Sequence, residues 1–152
     1  MKTIEQEIKQ NKFSDIYVKS DINILFTAGW IEGKQMRLFK KYGLSQQQYN
    51  VLRILRGQHP QPVMLSQITE RMIDKMSNAT RLVDKLNKKE LTTRRNNPGN
   101  RRQVDIHITE KGLELLKIID AVLEEQTPPA HYSKITEKEL KQLNLILDKI
   151  RN

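Results

Sequence analysis

Cysteine is absent from the 152 residues, which excludes a disulfide framework, a zinc–thiolate site and a thiol redox switch. Long apolar runs are missing too. Nothing approaches the roughly 20 residues of a membrane span, and the N-terminus lacks a signal-peptide core. The expectation is a soluble cytoplasmic chain with no membrane partner. Histidine is scarce, and His59, His107 and His131 lie too far apart to make a ligand pair, so neither metal nor cofactor is expected. No nucleophile–base motif, phosphate-binding glycine loop or carboxylate pair stands out, which argues against an enzyme. Internal repeats and low-complexity tracts are also absent.

What the chain does have is positive charge, +9 in all, from 27 lysines and arginines against 18 acidic residues. The excess is concentrated. Between Lys75 and Arg102, nine cationic side chains face only Asp84 and Glu90. Such a run suits a polyanion, although a charged stretch alone is more often a solvated face. Hydrophobic residues make up 37% and the mean hydropathy is -0.67. The composition is polar, yet Leu, Ile and Val recur at helical spacing, so the chain is expected to fold. The core should be modest for this length, which favours burial against a second subunit.

The order of elements narrows the fold. A helix runs from about Ile22, with Leu25, Phe26, Trp30 and Met36 on a narrow apolar face, and ends at Tyr42-Gly43. Ser45 with Gln48 has capping-box spacing and opens a helix that reaches Gly57. The prolines of His59-Pro60-Gln61-Pro62 make a loop. Val63-Met64 reads as a short strand, and Ser66 as the cap of a short helix through Met72. The next helix is expected to begin near Asp74, burying Ala79, Leu82, Val83 and Leu86 at i, i+3, i+4 and i+7. Strands follow over Leu91–Arg95 and Gln103–Ile108, joined by a turn over residues 96–102. Thr109 caps a long helix stopped by Thr127-Pro128-Pro129. Thr136 with Glu139 caps a last one carrying the stripe Leu140, Leu143, Leu147 and Ile150.

Helix, helix, then an arginine-tipped hairpin is the order of a winged helix-turn-helix. The predicted fold is therefore mainly α: a winged helix-turn-helix domain whose N- and C-terminal helices form a dimerisation region. The boundaries are 1–43 for the N-terminal helical arm, 44–108 for the DNA-binding domain and 109–152 for the C-terminal helices. A homodimer is expected because the terminal stripes have no evident partner within one winged domain. Ser77, Arg81, Asp84 and Lys88 fall opposite the buried face of the second helix, flanked by Asn78, Thr80 and Lys85. Hydrogen-bonding and cationic groups on one outward face suit a major-groove reader: Asn can read adenine and Arg guanine through bidentate bonds. Lys75, Lys85, Lys88, Arg94 and Arg95 suit phosphate contacts. Pro98-Gly99 turns the hairpin so that Arg101 and Arg102 can reach a narrow minor groove.

These residues resemble the MarR family of winged helix-turn-helix transcriptional regulators, from roughly Ile22 to Ile150. Leu44 to Leu52 looks like the family's second helix and Ser77 to Leu86 like its recognition helix. Arg94-Arg95, Arg101-Arg102 and Ile108-Thr109-Glu110-Lys111-Gly112 look like the wing and the start of the following helix. The resemblance implies a homodimer straddling a pseudo-palindromic double-stranded operator. It also implies repression of nearby genes and release of DNA on binding a small amphipathic or phenolic effector. Phe26, Trp30, Met36, Phe39 and Tyr49 are candidates for lining an effector pocket or for plain core. Two positions depart from the family pattern. Asn100 stands where the wing commonly carries Asp, though Arg102 keeps the basic position. Glu90 stands where glycine often follows the recognition helix, which is costly if the backbone there is left-handed. The competing functions are a constitutive DNA binder without an effector and a winged-helix protein-interaction module.

Overall fold

The computed structural model describes residues 2–97 and 99–152, without the side chains of residues 97 and 100–103. The elements run α1 (Ile4–Ile8), α2 (Ile16–Lys40), α3 (Gln46–Arg56), β1 (Val63–Met64), α4 (Leu65–Arg71), α5 (Ala79–Lys88), β2 (Thr92–Asn97), β3 (Asn100–Ile108), α6 (Glu110–Glu125) and α7 (Glu137–Arg151). A short 3-10 turn, Ala130–Tyr132, separates the last two helices. The chain divides into two compact units, Met1–Leu113 and Glu114–Asn152.

In the first unit, α2 is longer than its apolar pattern suggests, because Asp15 caps it by accepting from the Val18 N–H. Lys19 on α2 pairs with Glu5 on α1 at 2.6 Å. The Lys19 ammonium, with hydrogen bonds from nearby backbone and Thr3, lowers the Glu5 carboxyl to about 2. Gly43, at φ 67°, supplies the left-handed turn that ends the helical arm. Ser45 and Gln48 close the expected capping box, with both hydrogen bonds at 3.1 Å.

α3, α4, α5 and the sheet enclose the core of this unit. Val51, Leu52, Leu55, Ile68, Val83, Leu86 and Ile106 are buried, each worth about 1.5–3 kcal/mol of apolar transfer. The sheet is antiparallel in the order β1-β3-β2, with Val63 opposite Ile106 and Arg95 opposite Asp105. β2 and β3 pair as far as Asn97 opposite Asn100. The hairpin strands thus extend well into the stretch read from sequence as turn, because the ladder continues past the last apolar residue. Pro98 lies outside the described residues.

The end of α5 explains Glu90. The Glu90 N–H donates to the Asn87 carbonyl at 2.9 Å and the Leu91 N–H to the Leu86 carbonyl at 3.1 Å. This is the Schellman pattern, whose middle position is left-handed. Glu90 occupies it at φ 62°. Its carbonyl accepts from the Thr109 hydroxyl at 2.8 Å and its carboxylate pairs with Lys111 at 2.7 Å. Gly112, in the first turn of α6, packs directly on this corner. A Cβ there would lie 2.5 Å from the Leu91 carbonyl oxygen and 2.7 Å from Ile108 Cγ1.

In the second unit, Leu116 and Ile119 are fully buried. Thr136 and Glu139 form the expected capping box of α7. Leu143, Leu145, Ile146 and Ile150 on α7 remain exposed. Among the described residues, no helix is long and apolar enough to cross a membrane.

Candidate nucleic-acid interface

The site is built on α5 and on the turn before it. α5 does not begin near Asp74. Asp74 instead folds the preceding residues into a turn: its Oδ1 accepts the Met76 N–H at 3.0 Å and its Oδ2 accepts the Ser77 hydroxyl at 2.7 Å. An aspartate that bonds its own neighbours competes with helix formation. The helix starts at Ala79, and Asn78 is its N-cap, accepting the Arg81 N–H at 3.0 Å. That bond uses the oxygen a bidentate adenine contact would need, so the Asn78 side chain serves the helix start first. The Ser77 hydroxyl, followed by the Met76 N–H and the Gln47 side chain, holds the Asp74 carboxyl below the usual range. α4 differs from its sequence reading in a similar way. Met64 is its cap residue and its N–H donates to Gln67 Oε1 at 2.9 Å, while Ser66 lies inside the helix.

α5 buries Ala79, Val83 and Leu86, leaves Leu82, expected with them, half-buried against the cationic concavity, and exposes Thr80, Arg81, Lys85 and Lys88. The predicted face is thus presented outward, except that Ser77 is half-buried in the turn before the helix and Asp84 is half-buried and engaged by Arg94 of β2. Arg94, expected at phosphate, is tied to the helix. Arg95 is exposed on the same strand. Lys75 is exposed, with its ammonium donating to the Glu70 carbonyl. Lys89, in the same charge run, bridges to the Gly43 carbonyl and, at 3.2 Å, to Gln48 Oε1, so it fastens the end of α5 to the start of α3. Lys85 and Lys88 line a concave surface of about 340 Å³ with Ser45, Gln48, Leu82 and Lys89. The backbones of Arg101 and Arg102 lie in β3, but the predicted roles of their side chains, like that of Asn100, fall outside the described residues.

Sequence reasoning missed the turn itself. Ile73 and Met76 are large apolar side chains that are 81% and 93% exposed beside the cationic face. Asp74 three residues before Ser77 was the available signal, since that spacing closes a side-chain turn. Of the candidate pocket aromatics, Phe39 is buried and stacks on Tyr49 with ring centroids 4.1 Å apart. Phe26, Trp30 and Met36 are exposed.

Two helices joined by a pinned turn, followed by a basic antiparallel hairpin, define a winged helix-turn-helix. Residues 44–104 match the MarR family model. The chain is 39% identical over 79 residues to the HTH-type transcriptional regulator MhqR of Bacillus subtilis, an alignment covering 52% of this chain and 53% of that protein. It therefore spans about half the length of this curated relative. A MarR transcription factor structure from Planctomyces limnophilus superposes with a TM-score of 0.67 at 29% identity, over 90% of this chain and 98% of that one. The S. aureus MepR–DNA complex shares the fold, with a TM-score of 0.71 at 18% identity over 91% and 96% of the two chains. The segment 44–104 thus carries the sequence pattern of the MarR family, and the chain has the winged helix-turn-helix fold of MarR transcription factors.

Proposed function

We propose that the chain is a dimeric, sequence-specific DNA-binding regulator that acts in the cytoplasm, represses nearby genes and is released from DNA by a small effector. The observation that carries this reading is the outward face of α5, where Thr80, Arg81, Lys85 and Lys88 stand exposed on a helix whose other side is core. Ser77, Asn78, Thr80 and Arg81 sit at the helix N-terminus, the part of a recognition helix that reaches base edges. Lys75, Lys85, Lys88 and Arg95 neutralise phosphates, Arg94 positions the wing against the helix, and Arg101 and Arg102 enter the minor groove. MepR, solved as a DNA complex, lends the fold a precedent for duplex binding.

Dimerisation is supported by exposed apolar residues on each terminal helix: Leu25, Phe26, Trp30 and Met36 on α2, and Leu143, Leu145, Ile146 and Ile150 on α7. Exposed apolar stretches of this kind mark association surfaces. Residues 1–43 and 109–152 are thus assigned to dimerisation and residues 44–108 to DNA. Effector release is supported by a cavity of about 240 Å³ whose walls include Met64, Val83 and Ile106 together with Thr80 and Arg94. Apolar walls edged by the Thr80 and Ser66 hydroxyls and the Asp84-paired Arg94 suit a small amphipathic molecule. Its position joins the recognition helix to the wing, so an occupant can bias DNA affinity. BpsR, of the same fold, has DNA binding regulated by 6-hydroxynicotinic acid.

The test is selection of duplexes from a randomised pool, followed by fluorescence anisotropy across a salt series. Log affinity should fall by about 0.9 per phosphate neutralised for each unit of log salt. A response independent of salt, or equal affinity for selected and random duplexes, would remove the reading. Light scattering should return a dimer, and Leu143→Glu with Leu147→Glu should yield a monomer that no longer discriminates. Small phenolic acids should release the selected duplex.

A further inference from the structure

The turn between α4 and α5 holds two apolar side chains where burial cannot account for them. Ile73 is 81% exposed and Met76 is 93% exposed. The backbone that carries them is fixed. The Ile73 N–H donates to Asn50 Oδ1 of α3 at 3.0 Å, the Met76 N–H to Asp74 Oδ1 at 3.0 Å, and the Ser77 N–H to the Asp74 carbonyl at 3.2 Å. Such a turn presents its side chains without a further backbone-ordering cost on binding. Asp74, whose carboxylate is engaged within the turn, and Lys75 lie between the two residues, and the exposed cations Arg81, Lys85 and Lys88 follow on α5. Two isolated apolar side chains are far too small for a protein interface, which buries about 1,200–2,000 Å². The partner must be largely anionic yet offer small apolar groups at discrete places. A DNA major groove does so, because each thymine projects a C5-methyl group into it.

We propose that Met76, with Ile73 beside it, reads thymine methyl groups when the start of α5 enters the major groove. This rests on the DNA-binding reading of α5 and adds an apolar element to its hydrogen-bonding residues. The unbranched, polarizable thioether chain of Met76 suits contact with a methyl group whose position varies slightly between sites.

The probe is a duplex enriched from a randomised pool by the full-length protein, with its thymines replaced one at a time by deoxyuridine. That change removes the methyl group and leaves the hydrogen-bonding edge intact. At one or two positions per half-site the unaltered protein should lose about threefold to fourfold in affinity, the value of burying one methyl group. Met76→Ala should lose as much on the thymine duplex and nothing more on deoxyuridine. Met76→Leu should restore the sensitivity, and Ile73→Ala should report any thymine that Met76 does not. Both residues are exposed, so the variants should melt as the parent does. Enrichment of a duplex that is insensitive to deoxyuridine overturns this proposal alone, as does sensitivity that persists in both alanine variants. Failure to enrich any duplex removes the DNA-binding reading and this proposal with it. A change in oligomeric state for Met76→Ala would assign the turn to a protein contact and overturn the proposal.

Discussion

Asp84 on the candidate recognition helix and Arg94 on the first strand of the hairpin form an ion pair that ties the two together. Both side chains keep over a third of their exposure, so the pair adds little to stability. Its effect is on where the guanidinium can go. Asp84→Asn should release Arg94 toward the phosphate backbone. Affinity for random duplex should rise, and the salt slope should steepen by about 0.9 per added phosphate contact. The ratio of selected to random affinity should fall, because phosphate contacts carry no sequence information. Anisotropy titrations on both duplexes would decide it; an unchanged ratio would mean that Arg94 already faces the backbone.

That pair also marks what the sequence could and could not reveal. Local signals were legible: the capping boxes at Ser45 and Thr136, the stop at Gly43, and the buried stripe Ala79, Val83 and Leu86 all depend on residues within a few positions. Composition also located the cationic face. Ties across the chain were not legible, since Asp84–Arg94 and Lys89–Gly43 exist only once the helices and sheet have packed. The start of α5 was misplaced for a local reason: Asp74 and Asn78 both suit a cap, and the Ser77 hydroxyl draws Asp74 into the turn instead.

Gly112 should tolerate no side chain. The built Cβ would meet the Leu91 carbonyl at 2.5 Å and Ile108 at 2.7 Å, and neither a backbone oxygen nor a buried strand residue can withdraw cheaply. Gly112→Ala should cost about 1–3 kcal/mol, as overpacking does. Chemical denaturation of parent and variant would measure it, and an unchanged midpoint would show that α6 can shift away from the corner.

Thr92 is buried, and its hydroxyl has no hydrogen-bond partner among the described residues. Valine has nearly the same shape and no polar atom to desolvate. Thr92→Val should therefore stabilise the chain by about 1 kcal/mol. Thermal melting should show a midpoint higher by roughly 2–4 °C. A lower midpoint would mean that the hydroxyl is satisfied by solvent.

Acid should loosen the turn before α5 only at low pH. Asp74 has its folded-state pKa lowered from 3.8, first by the Ser77 hydroxyl and then by the Met76 N–H. A depressed carboxylate contributes fully above its unfolded value and loses that contribution as pH falls through the folded one. Operator discrimination should thus be insensitive to Asp74 at neutral pH and fail only below about pH 4. Asp74→Asn keeps an oxygen acceptor but no charge, and should flatten that acid limb. Following affinity for selected and random duplexes through the acid range checks this; an inflection above pH 5 that Asp74→Asn removes would contradict the sign.

Residues of the helix face should differ in kind when removed. The exposed Arg81 side chain lies in the first turn of α5, where a bidentate contact with guanine is within the geometry of a recognition helix. Arg81→Ala should then reduce discrimination between selected and random duplexes by about 1–3 kcal/mol. Lys88 lies at the other end of the helix and lines the cationic concavity. Lys88→Ala should weaken both duplexes alike and lower the salt slope by about 0.9. Arg102→Ala should cost most on A·T-rich flanks, where a narrow minor groove strengthens the negative potential. All three variants are to be compared at one salt concentration. Equal losses on both duplexes would take Arg81 out of base reading, and indifference of Arg102→Ala to the flanks would leave the wing as a phosphate clamp.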